Sequence, residues 1–340
     1  MLKQINKVTF ISALIAFAVS FTSISAAGLT RTDIITASSV PLPEITAKTG
    51  VLMESSTGTI LFEKESHQKL APASVTKIMT MLLVIESIES GKISFSDEVT
   101  CSELASSMGG TQIWLKPTEQ MSVEDLLKAT AVASANDAAM ALAEYVGGSC
   151  EGFVAMMNNK AKQLGMNDTN FVNPTGLDAE SHLTSAYDIA LMSCELIKHK
   201  DITRFTTIWM DSLRGGKTQL VNTNKLIRFY KGATGLKTGT TDKAGSCVSI
   251  SATRDNLSLV SVVMGCATSK DRFTSARQLL DFGFNNFTSF KPEISTDTLK
   301  PIKVIGGTEK LVNVNVINPA PLIIPKGYEE MITQKITTEP

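Results

Sequence analysis

One predicted helix constrains the fold more than any other feature of this sequence. It spans residues 73–90 and ends at Gly91, a residue typical of helix termination. Its large apolar side chains cover most of the circumference: Val75, Ile78, Met79, Met81, Leu82, Leu83, Val84, Ile85 and Ile88. A helix that is apolar nearly all round is buried on most of its sides. We therefore expect the rest of the chain to fold around it.

Predicted strands lie on both sides of a mainly helical middle. Before the buried helix, 51–53 and 59–62 flank Ser55-Ser56-Thr57-Gly58, which indicates a β-hairpin. Further helices are predicted to begin at Ser122, Asp137, Glu151 and Ser185. Three β-rich segments follow, at 236–240, 246–252 and 257–265, before an amphipathic helix over 271–282. The simplest arrangement is an α+β fold in which the terminal strands form one antiparallel sheet covered by helices.

The N-terminus has the pattern of a secretory signal. Lys3 and Lys7 precede an uncharged apolar stretch over 8–24, and Ser25-Ala26-Ala27 provides small residues before a cleavage point. This predicts an exported protein whose mature chain begins at Gly28, with an uncleaved membrane anchor as the alternative. The predicted division is a signal peptide over 1–27, a flexible lead-in over 28–47, a catalytic domain over 48–284, a linker over 285–301 and a partial C-terminal β domain over 302–340.

Composition argues against several other classes of protein. The formal net charge is −1, so no basic excess is present to attract nucleic acid. The three histidines form no H-x-x-x-H pair, and the five cysteines are scattered without metal-ligand spacing. We therefore predict neither a metal site nor a cofactor, and we interpret the cysteines as small buried apolar residues.

Ser74 and Lys77 are the first candidate pair for chemistry. Ser74 lies at the start of the buried helix, and Lys77 lies one turn later on the same face. A serine hydroxyl is a poor nucleophile unless a base takes its proton. A lysine can be that base only if burial or a nearby cation lowers its pKa. Alone, however, S-x-x-K also fits a helix N-cap followed by a solvated lysine.

Two further segments supply polar groups that could complete a site. Ser134-Ala135-Asn136 lies at a junction between predicted helices, where Ser134 could relay a proton and Asn136 could bind a peptide backbone. Lys237-Thr238-Gly239, followed by Thr240, lies on a predicted strand. The lysine and threonine suit a terminal carboxylate, and the glycine permits a ligand to approach the strand. The order S-x-x-K, S-x-N, K-T-G is typical of penicillin-binding proteins and class A β-lactamases.

With these motifs, the chain resembles the low-molecular-mass penicillin-binding proteins, the serine D-alanyl-D-alanine carboxypeptidases of peptidase family S11. The similarity covers about residues 48–284 and extends to the segments around the motifs: Val51-Leu52-Met53-Glu54-Ser55-Ser56-Thr57-Gly58, Ala71-Pro72-Ala73-Ser74-Val75-Thr76-Lys77, Asn170-Phe171-Val172-Asn173-Pro174-Thr175-Gly176-Leu177 and Gly235-Leu236-Lys237-Thr238-Gly239-Thr240-Thr241. The resemblance implies a β-lactamase/transpeptidase-like fold, with a five-stranded antiparallel sheet flanked by helices and a mostly helical subdomain.

The resemblance also implies a role for each residue of the motifs. Ser74 would attack the penultimate D-alanine carbonyl of a peptidoglycan stem peptide, Lys77 would accept its proton, and Ser134 would relay one. Substrate-binding residues would be Asn136, Lys237, Thr238, Gly239 and Thr240, with the backbone N–H groups of Ser74 and Thr240 as the oxyanion hole. Arg272 is similar to a family arginine near the carboxylate site, although a helix-surface arginine fits the sequence equally well. Penicillins would acylate Ser74 as substrate mimics.

Two alternative functions fit parts of the sequence. A class A β-lactamase needs a further glutamate to activate water, and Glu180 offers one, but the asparagine expected after it is missing. A catalytically silent sensor that binds muropeptides or β-lactams would not need the intact motifs. Family members often continue to an amphipathic membrane-anchoring helix, which is not present before Pro340, so membrane attachment is left open.

Overall fold

The computed structural model describes residues 41–291, 301–303, 311–312 and 321–332. The predicted signal peptide and most of the predicted lead-in, linker and C-terminal β domain lie outside these residues. The larger compact unit contains the described residues up to Ser289 together with Pro321–Ile323. The smaller unit contains a two-stranded sheet of β11 (Ile302–Lys303) and β12 (Leu311–Val312). In the described part of the chain, no helix is both long and apolar enough to cross a membrane.

A five-stranded antiparallel sheet forms the centre of the larger unit. Its spatial order is β2-β1-β9-β8-β7, from β1 (Thr49–Glu54), β2 (Ile60–Lys64), β7 (Ala233–Thr241), β8 (Gly245–Arg254) and β9 (Leu257–Cys266). The N-terminal hairpin joins the C-terminal strands through β1 and β9, where Thr49 pairs with Met264 and Glu54 with Leu259. The sheet predicted from the terminal strands is confirmed, and β7, which carries Lys237, is an edge strand.

Successive side chains of the central strands enter two different cores. Val51 and Met53 of β1 pack in the larger core, whereas Leu52 between them packs in the smaller one. This alternation follows from the two-residue period of a β-strand. The sheet is therefore buried on both faces.

The helices divide between these two faces. The larger core contains α1 (Lys77–Glu89), which follows a 3-10 turn over Ala73–Thr76, and the smaller core contains residues of α9 (Ser269–Asn286). The other helices are α2 (Glu103–Ser106), α3 (Val123–Val132), α4 (Asn136–Gly147), α5 (Cys150–Gln163), α6 (Ala186–Leu196), α7 (Thr203–Thr206) and α8 (Leu226–Phe229). Ten residues of α1 are buried, as its all-round apolar character predicts.

Three of the long helices, α3, α6 and α9, begin where the sequence places capping residues. The hydroxyls of Ser122 and Ser185 accept hydrogen bonds from N–H groups in the first turns of α3 and α6. Thr268 and Asp271 form a reciprocal capping box that starts α9. The small sheets β3–β4 (Glu98–Thr100, Gln120–Ser122) and β5–β6 (Met210–Leu213, Thr218–Val221) were not predicted, because strands of three or four residues carry little periodicity.

The end of α9 corrects the predicted linker. α9 continues to Asn286, and a strand, β10 (Phe287–Phe290), follows it, although residues from 285 onwards were predicted to be linker. Phe287 is buried and lies edge-on to Phe282, with ring centroids 5.7 Å apart. In the larger unit Ile323, from β13 (Leu322–Pro325), is buried in the same core. An apolar residue with such partners adds to the core rather than to a solvated connection.

Candidate active site

The structure brings Ser74 and Lys77 into direct contact. The Lys77 Nζ lies 3.0 Å from the Ser74 Oγ, 2.5 Å from the Asn136 Oδ1 and 2.6 Å from the carbonyl oxygen of Thr175. Lys77 is completely buried, whereas Ser74 is partly exposed. The first turn of the buried helix thus holds an accessible hydroxyl against a buried amine.

The environment of Lys77 favours its neutral amine. Burial is the largest cause that holds the pKa of Lys77 well below its usual range, and the nearby charge of Lys237 lowers it further. The carboxylate of Asp137 acts in the opposite direction but does not cancel these effects. A neutral amine 3.0 Å from a hydroxyl can accept its proton. The geometry therefore makes Lys77 a candidate base, which S-x-x-K alone could not do.

Asn136 forms the second wall of the site. Besides accepting from Lys77, its side chain donates to the Gly109 carbonyl at 2.6 Å, and its backbone N–H donates to the Thr111 carbonyl at 2.7 Å. Ser134 lies two residues earlier, is buried, and has a left-handed backbone with φ 67°. Within the described residues no hydrogen bond joins the Ser134 hydroxyl to Lys77. Its predicted relay role stays a prediction.

A loop that sequence reasoning did not assign to the site provides the third acceptor for Lys77. The side-chain oxygen of Asn173 accepts from the Thr175 N–H, the Thr175 hydroxyl and the Gly176 N–H, which fixes the turn that presents the Thr175 carbonyl. Gly176 has φ +83°, and a Cβ there would lie 1.8 Å from the Ala73 carbonyl oxygen. Only glycine permits this approach. The signal for it was Asn173-Pro174-Thr175-Gly176, a turn-forming sequence.

The edge strand β7 closes the site from the other side. A Cβ added to Gly239 would lie 2.9 Å from both the Ser74 backbone nitrogen and the Ala73 Cβ, so β7 packs directly against the nucleophile segment. The Thr238 hydroxyl donates to the Thr223 hydroxyl at 2.7 Å, and Lys237 is buried with its Nζ 3.2 Å from the Thr238 carbonyl. K-T-G therefore lies beside Ser74 despite the long separation in sequence.

Arg272 is a buried cation behind β7, not a helix-surface arginine. Its Nη1 donates to the Gly239 carbonyl at 2.9 Å and to the Thr240 hydroxyl at 2.8 Å, and the side chain is 7% exposed. Burial, followed by the charge of Arg272, lowers the pKa of Lys237 to about 7. Two cations near one strand create a positive potential that suits a carboxylate ligand.

Asp137 is a supporting residue that the sequence did not single out. Its buried carboxylate accepts hydrogen bonds from the backbone N–H groups of Ile113 and Leu115 at 3.0–3.1 Å. It therefore ties the chain after Gly109 to the start of α4, next to Asn136. A carboxylate with several N–H donors is well satisfied in the interior.

His182 and Glu180 do not act on the nucleophile. The Val172 N–H donates to the His182 Nδ1, so the Nε2 carries the proton and donates to the Thr76 hydroxyl at 2.9 Å. Burial lowers the pKa of His182 to about 4, which keeps it neutral. Glu180 is exposed, and within the described residues it makes no hydrogen bond to Ser74 or Lys77. The feature that suggested a class A β-lactamase therefore has no counterpart at the site.

Other groups with metal-binding chemistry lie away from the site. The five cysteines are free thiols. Among the described residues, Glu86, Glu195 and His199 have ligand atoms within 4.8 Å of one another, at the opposite end of α1 from Lys77. Lys160 already pairs with Glu86 there, so the group is an ion-pair cluster.

A partly exposed serine held against a buried lysine, beside the edge strand of a five-stranded antiparallel sheet, defines a serine enzyme of the penicillin-binding protein fold. The family model for D-alanyl-D-alanine carboxypeptidase, peptidase S11, matches residues 35–268. The chain is 46% identical over 286 residues to the D-alanyl-D-alanine carboxypeptidase DacF of Bacillus subtilis (strain 168), covering 83% of this chain and 74% of that protein. The chain therefore belongs to the peptidase S11 family of D-alanyl-D-alanine carboxypeptidases.

Solved structures give the same result for the fold. Penicillin-binding protein 5 from Haemophilus influenzae superposes with a TM-score of 0.79 at 34% identity, covering 86% of each chain. Penicillin-binding protein D2 from Listeria monocytogenes in its ampicillin-bound form superposes with a TM-score of 0.66 at 30% identity, covering 72% of this chain and all of that one. The β-lactamase/transpeptidase-like fold is confirmed.

Proposed function

We propose that this protein removes the terminal D-alanine from peptidoglycan pentapeptides through an acyl-enzyme on Ser74, on the outer side of the cytoplasmic membrane. The observation that carries the proposal is the 3.0 Å contact between the Ser74 hydroxyl and the buried amine of Lys77, whose pKa is lowered. The family membership supports the substrate class, and the N-terminal pattern over 1–27 supports export.

Acylation follows from this contact. Lys77 accepts the Ser74 proton as the Oγ bonds to the carbonyl carbon of the penultimate D-alanine. The negative charge that develops on the carbonyl oxygen would be held by the backbone N–H groups of Ser74 and Thr240. The C–N bond then breaks, and the proton returns to the leaving amine of the terminal D-alanine, with Ser134 as the proposed relay. The product of this half-reaction is an ester on Ser74.

Deacylation reverses these roles with water. A water molecule adds to the ester carbonyl while Lys77 takes its proton, and the C–Oγ bond breaks as that proton returns to Ser74. During both steps the terminal carboxylate of the substrate would be bound by Lys237 and Thr238, within the potential to which Arg272 contributes. A penicillin would follow the acylation step through its lactam carbonyl, and its opened ring would remain attached to Ser74.

Labelling and product release test the proposal together. We expect labelled penicillin to modify the peptide that contains Ser74, and the wild-type protein to release D-alanine from a stem pentapeptide. Ser74→Ala should lose both, whereas Ser87→Ala, which changes another buried serine near the far end of α1, should keep both. Labelling at another residue would refute the role of Ser74.

The two alternatives give different outcomes in the same experiments. Covalent labelling without release of D-alanine from any pentapeptide would instead support a silent sensor. Rapid multiple turnover of nitrocefin, in place of a long-lived adduct, would support a β-lactamase. For export, the mass of the protein recovered from the cell envelope should match a chain that begins at Gly28, and an unprocessed chain would contradict the predicted cleavage.

A further inference from the structure

A groove with both apolar and polar lining lies between the loop before β4 and the β5–β6 hairpin, and we call it the side groove. Its volume is about 790 Å³, and its lining includes Trp114, Lys116, Thr118 and Glu119 from the loop before β4, and Arg214 and Lys217 from the β5–β6 hairpin. None of these residues belongs to the three motifs. The groove therefore has no role in the chemistry described above.

Strained backbone is concentrated in this groove. Trp114, Thr118 and Arg214 have left-handed conformations with φ of 59°, 66° and 53°. Such conformations cost of order 1–3 kcal/mol each for residues other than glycine, and they persist where surrounding contacts enforce them. Three of them on one surface indicate that the shape of the groove is held by the fold.

Trp114 is held outwards by a buried anchor. The N–H groups of Ile113 and Leu115, on either side of it, both donate to the carboxylate of Asp137, while the Trp114 side chain is 74% exposed. A large aromatic ring on a rigid, strained loop offers apolar contact area to a ligand at little cost in conformational entropy. Trp114 is therefore placed as a binding platform, not as a core residue.

The groove also has an excess of positive charge. The Arg214 Nε donates to Glu119 at 2.7 Å, and its Nη1 donates to the Ile113 carbonyl at 2.9 Å, which joins the two walls. The negative charge of Glu119 is therefore balanced by the positive charge of Arg214. Lys116 and Lys217 are exposed, and in the described part of the chain neither has an acidic group within ion-pair distance. The groove thus suits a ligand that carries carboxylates next to apolar groups.

Both walls of the side groove lead into the active site. The loop wall starts from the segment whose Gly109 and Thr111 carbonyls bind Asn136. The hairpin wall ends two residues before Thr223, whose hydroxyl accepts from Thr238. In the proposed binding mode Lys237 and Thr238 take the C-terminal carboxylate, so the acyl portion of the substrate must leave the site in another direction.

We infer that the side groove binds the acidic part of the stem peptide, upstream of the bond that Ser74 would cleave. Carboxylates of this segment contact Lys217 and Lys116, and its aliphatic portion packs on Trp114. The inference rests on the proposed function, because it deepens the substrate specificity of the same site.

A pair of matched substrates tests the charge. The probes are the pentapeptide L-Ala-γ-D-Glu-L-Lys-D-Ala-D-Ala and the same peptide with the D-Glu α-carboxylate converted to an amide. We expect wild-type kcat/KM to favour the carboxylate form about tenfold, as a charge-assisted contact would. Lys217→Glu should bring the ratio of kcat/KM for the carboxylate peptide to kcat/KM for the amide peptide to about one or below. Lys92→Glu, a charge reversal beyond the far end of α1, should leave this ratio unchanged. The wild-type preference should also shrink as salt is added.

A second ratio tests the platform. This ratio is kcat/KM for the pentapeptide divided by kcat/KM for a short acetylated D-Ala-D-Ala substrate. We expect Trp114→Ala to lower this ratio about fivefold to tenfold, as the loss of an aromatic contact would. Phe229→Ala removes another exposed aromatic ring, outside the groove, and should not change it. Ratios measured on one variant cancel changes in the chemical step. If both ratios stay within twofold of their wild-type values in Lys217→Glu and Trp114→Ala, the inference is wrong.

A binding measurement separates this inference from the proposed function. The chain has two tryptophans, so Trp209→Phe leaves Trp114 as the only indole fluorophore. We expect L-Ala-γ-D-Glu-L-Lys, which lacks the cleaved bond, to change this fluorescence saturably, and Lys217→Gln to weaken the binding. If D-alanine release fails but this binding is observed, the groove assignment stands without the proposed function. No saturable change would refute the groove assignment.

Discussion

Substitution of Gly239 by alanine tests how closely the site depends on the packing of β7 against the nucleophile. An added Cβ would lie 2.9 Å from the Ser74 nitrogen, 2.9 Å from the Ala73 Cβ and 3.0 Å from the Pro72 carbonyl oxygen. Ordinary contacts of this kind begin at 3.4 Å, so the strand must retreat by about 0.5 Å. Two of the three atoms belong to the backbone, and no side-chain rotation can relieve them.

The expected effect is large for acylation and small for stability. The proposed oxyanion donors, the N–H groups of Ser74 and Thr240, lie on the two segments that would be forced apart. A displacement of about 0.5 Å reaches the tolerance of such a site, and loss of one donor costs about 10²–10³-fold in kcat. Overpacking typically costs about 1–3 kcal/mol of folding free energy, which a domain of this size tolerates.

The assay measures the acylation rate with a fluorescent penicillin and the free energy of unfolding in urea. Gly109→Ala is the matched control, because a Cβ there meets no atom within 4 Å. We expect the acylation rate of Gly239→Ala to fall about 10²-fold and that of Gly109→Ala to stay within about threefold. If Gly239→Ala acylates at the wild-type rate, the close packing of β7 on Ser74 does not set the geometry of the reaction.

Three further predictions concern titration and the supporting residues. The acylation rate should rise with pH as Lys77 loses its proton, at a pH well below the usual lysine range. The rate should fall above about pH 7, because Lys237 then becomes neutral. A rate that does not change with pH would contradict both assignments. Asp137→Asn should shift the rising part of the pH–rate profile to lower pH, because the carboxylate raises the pKa of Lys77. It should also lower the free energy of unfolding in urea by roughly 1–3 kcal/mol, because backbone N–H groups lose an acceptor. An unchanged rising part would refute the effect of Asp137 on Lys77. For His182, the folded pKa of about 4 lies below the unfolded value of 6.5, so its contribution to stability is complete above pH 6.5 and is lost as pH falls towards 4. This amounts to about 3 kcal/mol in the free energy of unfolding, and a His182→Gln protein that keeps the same pH dependence would argue against it.

The sequence predicted the parts of the fold that carry strong periodicity or clear caps. The buried helix, the N-terminal hairpin and the long strands β7, β8 and β9 lie where their patterns indicate, within a few residues. The pairing of β1 with β9 could be expected because both ends of the catalytic region are β-rich and an antiparallel sheet is the simplest way to bury them. The strand Phe287–Phe290 could not, because its burial depends on a contact with Phe282 from the preceding helix.

For the candidate site, the sequence singled out side chains that the structure brings together, but not the backbone that presents them. Ser74, Lys77, Asn136 and Lys237 were recognisable because their residue types and spacing match known chemistry. The residues Asn173-Pro174-Thr175-Gly176 indicate a turn, but no residue type shows that the Thr175 carbonyl faces Lys77, since every residue has a carbonyl group. Its position depends on Gly176 packing against the Ala73 carbonyl, a contact that only the folded chain defines. The sequence likewise could not predict that Arg272 is buried, because an arginine on an amphipathic helix can lie on its buried face or on its exposed face.

The distribution of buried charge links the base to the carboxylate site. Lys77, Lys237 and Arg272 are buried in one region with Asp137 as the nearby acid, so three basic side chains share one acidic partner. Such an excess is unfavourable for folding, because each buried charge loses hydration that its neighbours do not fully replace. Burial and the charge of Lys237 lower the pKa of Lys77, which suits it to act as a base, and Lys237 and Arg272 together provide the potential that would bind a substrate carboxylate. Replacing Lys237 by a neutral residue would therefore weaken both properties at once, since the charge that would hold the substrate is also one that lowers the pKa of Lys77.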